Sequence, residues 1–317
     1  MKSRGFTLVE LLAVLVLISV IAIIAVPSII NYINQSEGEI DEATKKIVFS
    51  GTQLYVDQNK KDFQAPLKQY CVTLQEIVDQ KYLSDSIFDS VSGSKIDSNT
   101  FVKVINYYNV DKERYDFKYD ISNECTEQEY VCVPATEKTV TVGNVPEGNY
   151  EAGDEYICQV SNDERYHFFL LKKQGNDTVK LLMDENLGST VAWYGAARDN
   201  SKGPLTVTTA LADRTSEWTR LSQSQITIPE TQDVADAISD TEWTPGNITK
   251  KEGPSWLYTN TSSSRPYGYW TTSKDTRNTT NAWVMFFGKF LGDDNVDNVI
   301  SYGVRPVITI NISEIVD

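Results

Sequence analysis

Glu10 lies in a run of hydrocarbon side chains that extends from Phe6 to Val26. A carboxylate at membrane depth costs about 2–3 kcal/mol, so its presence calls for a partner. No Lys or Arg follows until Lys45, which rules out a cation on the same helical stretch. An α-amino group would serve. Cutting the chain between Gly5 and Phe6 would create one, and Glu10 would then sit in the first turns of a helix, where the backbone dipole favours negative charge. The chain's own amine is not ideally placed for Glu10, whereas that of a neighbouring subunit could lie alongside it. At ~1.5 Å per residue the apolar run is about 31 Å long as a helix, enough to span one bilayer. Lys2 and Arg4 precede it and hold that end in the cytoplasm, with the chain beyond Pro27 outside. A cleavable secretory signal, with Val20-Ile21-Ala22 as a weak small-residue site, is the competing reading. Such a signal has a shorter apolar core and no use for an acid.

Other residues with chemical potential are fewer. Cys71, Cys125, Cys132 and Cys158 make an even count in an exported chain. That count implies disulfides in one of three connectivities, and the spacings do not fit zinc. The pairs Cys71–Cys125 and Cys132–Cys158 are expected. The first would tie the second helix of an N-terminal unit to the end of its strands, and the second would close a short loop where the next unit begins. His167, the single histidine, reads as a strand residue in "RYHFFLL". Asp293, Asn295 and Asp297 in "GDDNVDN" resemble the first half of a calcium loop, but the sixth-position glycine and the final glutamate are missing. A polar hairpin tip is the simpler reading. Ser92 and Lys95 form an S-x-x-K pattern without the motifs that accompany it in serine acylases.

Gly5-Phe6-Thr7-Leu8-Val9-Glu10, behind a short basic leader and ahead of the long apolar run, resembles the type IV prepilin signature. The resemblance implies cleavage after Gly5 by a prepilin peptidase and methylation of the new Phe6 amine. It also implies that Glu10 pairs with an adjacent subunit's N-terminus during assembly. Pro27 matches a helix-weakening proline common in these pilins.

The elements that must position these residues follow from patterning. Ile33, Ile40, Ile47 and Leu54 recur every seven residues, so one long helix over about 6–60 is expected, lipid-embedded first and then packed on a soluble unit. Helical spacing in "CVTLQEIVDQKYL", then strands at "TFVKVINYYNV" and "ERYDFKYDIS", complete a pilin-like unit over 27–131. Beyond a Pro/Gly/Thr-rich boundary, 132–317 reads as many short strands with helices at "LTVTTALADRTSEW" and "PETQDVADAI". All six tryptophans lie there. Most are expected to pack in the core, while Trp256 and Trp270 stand beside loop-like polar stretches and are the candidates to meet a ligand. "GYWTTS" and "YGVRPVITI" resemble the C-type-lectin-like fold of formylglycine-generating-enzyme-like domains. The absence of any cysteine after Cys158 argues against that family's chemistry.

The sequence therefore predicts an α+β protein: leader 1–5, membrane half-helix 6–26, a pilin unit with a small antiparallel sheet over 27–131, and a β-rich lectin-like binding domain over 132–317. The expected function is a minor type IV pilin or pseudopilin, inserted once in the membrane and then displayed on a surface filament for adhesion to a glycan or protein. It is not expected to be an enzyme or to need a cofactor. A pseudopilin of a secretion or DNA-uptake machine is the first alternative, and a signal-anchored surface enzyme the second. The net charge of −15 disfavours broad contact with nucleic-acid phosphates. Mass spectrometry of the mature chain is expected to show Phe6 as the first residue, and a chain starting at Met1 or after Ala22 would refute the signature.

Overall fold

The computed structural model describes residues 42–88, 96–135, 150–239, 241–244, 251–261, 265–287 and 290–316. Gly5, Phe6, Glu10, Ser92 and Lys95 lie outside these residues. Contacts divide the described chain into two units. One holds the residues up to Gln64, Tyr70–Val104 and Tyr119–Thr126; the other holds Ala65–Gln69, Ile105–Lys118 and everything from Glu127 on.

In the first unit, helix α1 (Glu42–Gln58) buries Val48, Gly51, Thr52, Tyr55 and Val56, an i, i+3, i+4, i+7, i+8 stripe. Tyr55 meets Phe63 and Tyr82 edge-on, and its hydroxyl donates to Glu76 at 2.6 Å. Ile47 and Leu54, expected in the packed stripe, are 55% and 56% exposed. Seven-residue spacing keeps side chains on one line of a helix without saying which line meets the core. The buried line here is the next one round, Val48 and Tyr55.

The expected fold class is corrected as well. The described residues hold fourteen strands in three sheets and few helices. Their longest helix, α1, has 17 residues, so the long helix leading an α+β chain is not what organises them. A short helix α2 (Leu74–Asp79) buries Leu74 and Ile77, and its N-cap Thr73 accepts a hydrogen bond from the Glu76 amide, as capping requires. Cys71 and Cys125 are disulfide-bonded across 54 residues.

Strands β1 (Lys68–Thr73), β2 (Phe101–Asn109), β3 (Arg114–Ser122) and β4 (Gln128–Glu129) form a sheet in the order β3-β2-β1-β4. The second unit is built on a larger sheet, β5-β6-β7-β8-β14-β9. Its strands are β5 (Cys132–Pro134), β6 (Glu155–Gln159), β7 (Arg165–Gln174), β8 (Thr178–Met183), β9 (Ile226–Thr227) and β14 (Val307–Asn311). All its pairings are antiparallel. Strand alternation gives it two apolar faces. One carries Tyr156, Phe168, Leu181 and Ile308, packed with Trp193, Trp218 and helix α3 (Leu205–Arg214). On the other face, Leu171, Leu182 and Val307 join a cluster with helix α4 (Thr231–Ala237). Ile157 on that face joins a separate cluster with Leu67, Ile105 and Val316.

A third sheet, β12-β11-β10-β13, supplies residues to the first two of these clusters. Its strands are β10 (Gly268–Lys274), β11 (Asn281–Phe286), β12 (Phe290–Asn295) and β13 (Tyr302–Gly303). β11 and β12 form an antiparallel ladder in which Phe286 pairs with Phe290. Asp293 and Asn295 consequently stand in a strand, not at a hairpin tip.

Gly51 tests the corrected helix face. A Cβ there would meet the Leu83 side chain and come within 2.8 Å of the Tyr82 carbonyl oxygen. Urea titration of the full chain is expected to show Gly51→Ala destabilised by about 1–3 kcal/mol through overpacking, despite alanine's higher helix propensity. Leu54→Gln should stay within about 0.5 kcal/mol of wild type. The reverse ranking would return Leu54 to the core.

Candidate functional site

Cys132 and Cys158 pair directly across β5 and β6 and are joined by a disulfide. These are the two bonds named from the sequence, and no described cysteine is free. The second bond also fixes the segment after β14. The Val316 amide donates to the Cys132 carbonyl at 2.9 Å, and the Val131 amide to the Glu314 carbonyl at 2.7 Å. At its other end this segment is held by the β7–β8 turn, where the Asp177 carbonyl accepts from the Ile312 amide at 2.7 Å.

Between these anchors lies a cleft of about 590 Å³. Its buried lining is aliphatic: Ile105, Ile315 and Val316. Its exposed lining is polar: Asn176, Asp177, Asn311 and Ser313. Tyr130 and Gln128 are half-buried. The Tyr130 hydroxyl donates to Gln69 at 3.0 Å, and the Gln128 amide donates to the Ser313 carbonyl. Asn311 is held by Glu314 in a capping box. The side chains of Asn176 and Asp177 have no hydrogen-bond or ion-pair partner among the described residues. Gly175 precedes them at φ +65°, the left-handed conformation that lets this short turn close.

The two tryptophans singled out from the sequence part company. Trp270 is fully buried. It stands opposite Val284 in β10, and its indole donates to the Val191 carbonyl at 2.7 Å, so it cannot meet a ligand at the surface. The threonines that made this stretch look loop-like are strand residues satisfied internally. Thr271 donates to the Trp283 carbonyl, shares a 2.6 Å hydroxyl contact with Thr231, and its carbonyl accepts from Trp193. Trp256 is half-buried in a short 3-10 turn, Ser255–Tyr258. Its ring lies 5.9 Å from that of Phe169 and presses on Gly153, where a Cβ would come within 2.6 Å of the indole nitrogen.

Arg305 holds this turn from behind. It is fully buried, its guanidinium lies 4.6 Å from the centre of the Tyr269 ring, and it donates to the carbonyls of Leu257 and Thr259. Burial pulls its pKa below the usual range and raises that of the neighbouring Asp184 carboxyl.

His167 lies on β7 opposite Ile157, between the two clusters that cover that face. It is solvent-exposed, with Nδ1 2.9 Å from Glu155. The would-be calcium ligands are occupied by other groups. Asp293 accepts from Asn281 at 2.6 Å and Arg277 at 3.2 Å, and Asp297 accepts from Arg198 at 2.8 Å. No group of three or more metal-ligating side chains occurs among the described residues.

"KQGNDT" has the composition of a turn, but that composition does not mark one wall of a cleft. The only signal was two adjacent small polar side chains behind a glycine. The opposite wall comes from residues more than 130 positions away, and nothing local announces that meeting.

Residues 1–26 match the family model described as the prokaryotic N-terminal methylation motif. The chain therefore carries a type IV pilin-like N-terminal signal. A signal of this kind marks a membrane-anchored precursor that a prepilin peptidase processes. No curated protein and no solved structure matches the chain. No described helix is long and apolar enough to cross a membrane, and the apolar run 6–26 lies outside the described residues.

Arg305→Met removes two charge-assisted hydrogen bonds, each worth about 1.5–3 kcal/mol. The variant is expected to unfold at lower urea than wild type and to gain hydrogen exchange first at Leu257–Thr259. Unchanged protection there would show that Arg305 does not hold the turn.

Proposed function

We propose that this protein is a minor type IV pilin or pseudopilin, cut between Gly5 and Phe6, whose residues 132–317 serve as a surface-displayed binding module for adhesion. The observation that carries the reading is the methylation motif over residues 1–26 joined to a β-rich chain far larger than the signal itself. Glu10 is assigned to assembly, where it would meet the new terminal amine of a neighbouring subunit, since an acid in hydrocarbon needs such a partner. The chain is read as a binding protein, not an enzyme, and its partners as the peptidase, other pilin subunits and an external glycan or protein. DNA fits poorly with a net charge of −15. The second reading, a pseudopilin of a secretion or DNA-uptake machine, rests on the same motif and differs only in what the displayed unit touches.

Bulk enables a placement. Subunits in a filament shaft share their outer surfaces with close neighbours, and a displayed unit of this size needs room that a tip provides. Quantitative mass spectrometry of sheared filaments is expected to find this subunit sparse, with antibody label at filament ends. Label along the whole shaft at the copy number of the main pilin would overturn the minor-subunit reading. Glu10→Ala is expected to leave insertion and cleavage intact while removing the subunit from filaments. Normal incorporation of that variant would sink the assembly role.

A further inference from the structure

The cleft beside the segment after β14 has a composition that selects among ligand classes. Its volume of about 590 Å³ falls within the ~300–1,000 Å³ range of small-molecule sites. Its lining contains no Lys or Arg and one carboxylate, Asp177. An anionic ligand would meet a negative group with no compensating cation, in a chain already at net charge −15. Phosphates, sulfated groups and acidic sugars are therefore poor occupants.

A purely apolar ligand fits no better. It would strip water from Asn176 and Asp177 without replacing their hydrogen bonds, and desolvating polar groups that stay unmet is costly. The remaining class has one apolar face and a rim of hydroxyls or amines. The aliphatic floor of Ile105, Ile315 and Val316 suits the first, and the exposed amide, carboxylate and hydroxyl groups suit the second. An amide side chain both donates to and accepts from adjacent hydroxyls, and a carboxylate accepts from them. The Tyr130 ring, fixed through its hydroxyl by Gln69, adds an aromatic surface for C–H groups.

An extended peptide would instead need a run of open backbone groups along a strand edge. The amide of Ile312 and the carbonyls of Asp177 and Ser313, which border the cleft, are already bonded to one another or to Gln128.

We propose that this cleft binds a neutral or basic saccharide, with Asn176 and Asp177 as the principal hydrogen-bonding pair and Tyr130 as the stacking surface. The proposal rests on the reading of the chain as a displayed binding protein and names the ligand class and its seat.

The test uses the full mature chain in detergent, because each unit is assembled from separate stretches of sequence. Saturation-transfer NMR would screen free lactose, maltose and chitobiose, with sialyllactose as the anionic comparison and an uncharged hexapeptide as the peptide comparison. Binding by at least one neutral or basic sugar is expected, more tightly than by sialyllactose or the peptide. The double variant Asn176→Ala/Asp177→Ala should weaken that binding at least tenfold with an unchanged unfolding midpoint. Should that variant fold poorly, Ser313→Arg, which adds bulk and positive charge at an exposed position, should give the same loss. Absence of sugar binding, preference for sialyllactose or the peptide, or wild-type affinity in the folded variants would overturn the proposal. The mature N-terminus and surface labelling are read separately, so loss of the cleft proposal leaves the pilin-like reading standing, and the reverse failure is equally visible.

Discussion

The second unit depends on one local constraint, the direct pairing of Cys132 with Cys158 across β5 and β6. The bond holds the edge strand of the six-stranded sheet, and the Cys132 carbonyl in turn receives the Val316 amide. Edge strand, second strand and the segment after β14 are thereby joined at one point. The loop closed between the two cysteines spans 26 residues, and closing a loop of this size in the unfolded chain is worth about 3–4 kcal/mol in the chain-entropy model. The short β5 strand, with three residues, has too few ladder bonds of its own to hold the position.

With that edge fixed, the two faces of the sheet take different coverings. One face is buried continuously under Trp193, Trp218 and the residues of β10 and β11. The other is covered in two patches, around Val234 and Leu257 and around Leu67 and Ile105. His167 and Glu155 occupy the interval, which is why a histidine in the middle of a strand is exposed. Polar residues at the margins are consumed by structure: Lys172 and Lys180 both reach the buried Asp233, and Arg277 bridges Asp275 and Asp293. The side chains of Asn176 and Asp177 have no such partner among the described residues.

Much of this was legible in the sequence, and the failures have physical causes. The strands at Phe101–Asn109, Arg114–Ser122 and Arg165–Gln174 follow alternating apolar patterns, and both expected disulfides, one of three possible connectivities, are formed. The α1 face was misread because periodicity reports spacing and not direction, so Ile47 and Leu54 looked like core. Trp270 was misread because Thr271 and Thr272 resemble a loop in composition, whereas Thr271 is bonded inside the fold through its hydroxyl and carbonyl and Thr272 through its amide and hydroxyl. The cleft was invisible because its walls come from a turn near 176, a strand near 128 and a segment near 313. Its floor residues, Ile105 and Ile315, look like ordinary core. The processing signal was the reverse case, with every informative residue inside one short window.

The position of β14 imposes an order in time. This strand lies between β8 and β9, yet its residues, Val307–Asn311, are made some 80 residues after β9. A chain emerging from its N-terminal end has β8 and β9 available early, with no partner between them. Until residue 311 has appeared, Leu181 and Leu182 each lack the neighbour that β14 supplies, and the sheet is open at an inner position and not merely at its edge. The sheet cannot be completed until β14 has been made, so a product terminated before residue 307 would keep β5 to β8 but lack the β8–β14 and β14–β9 ladders.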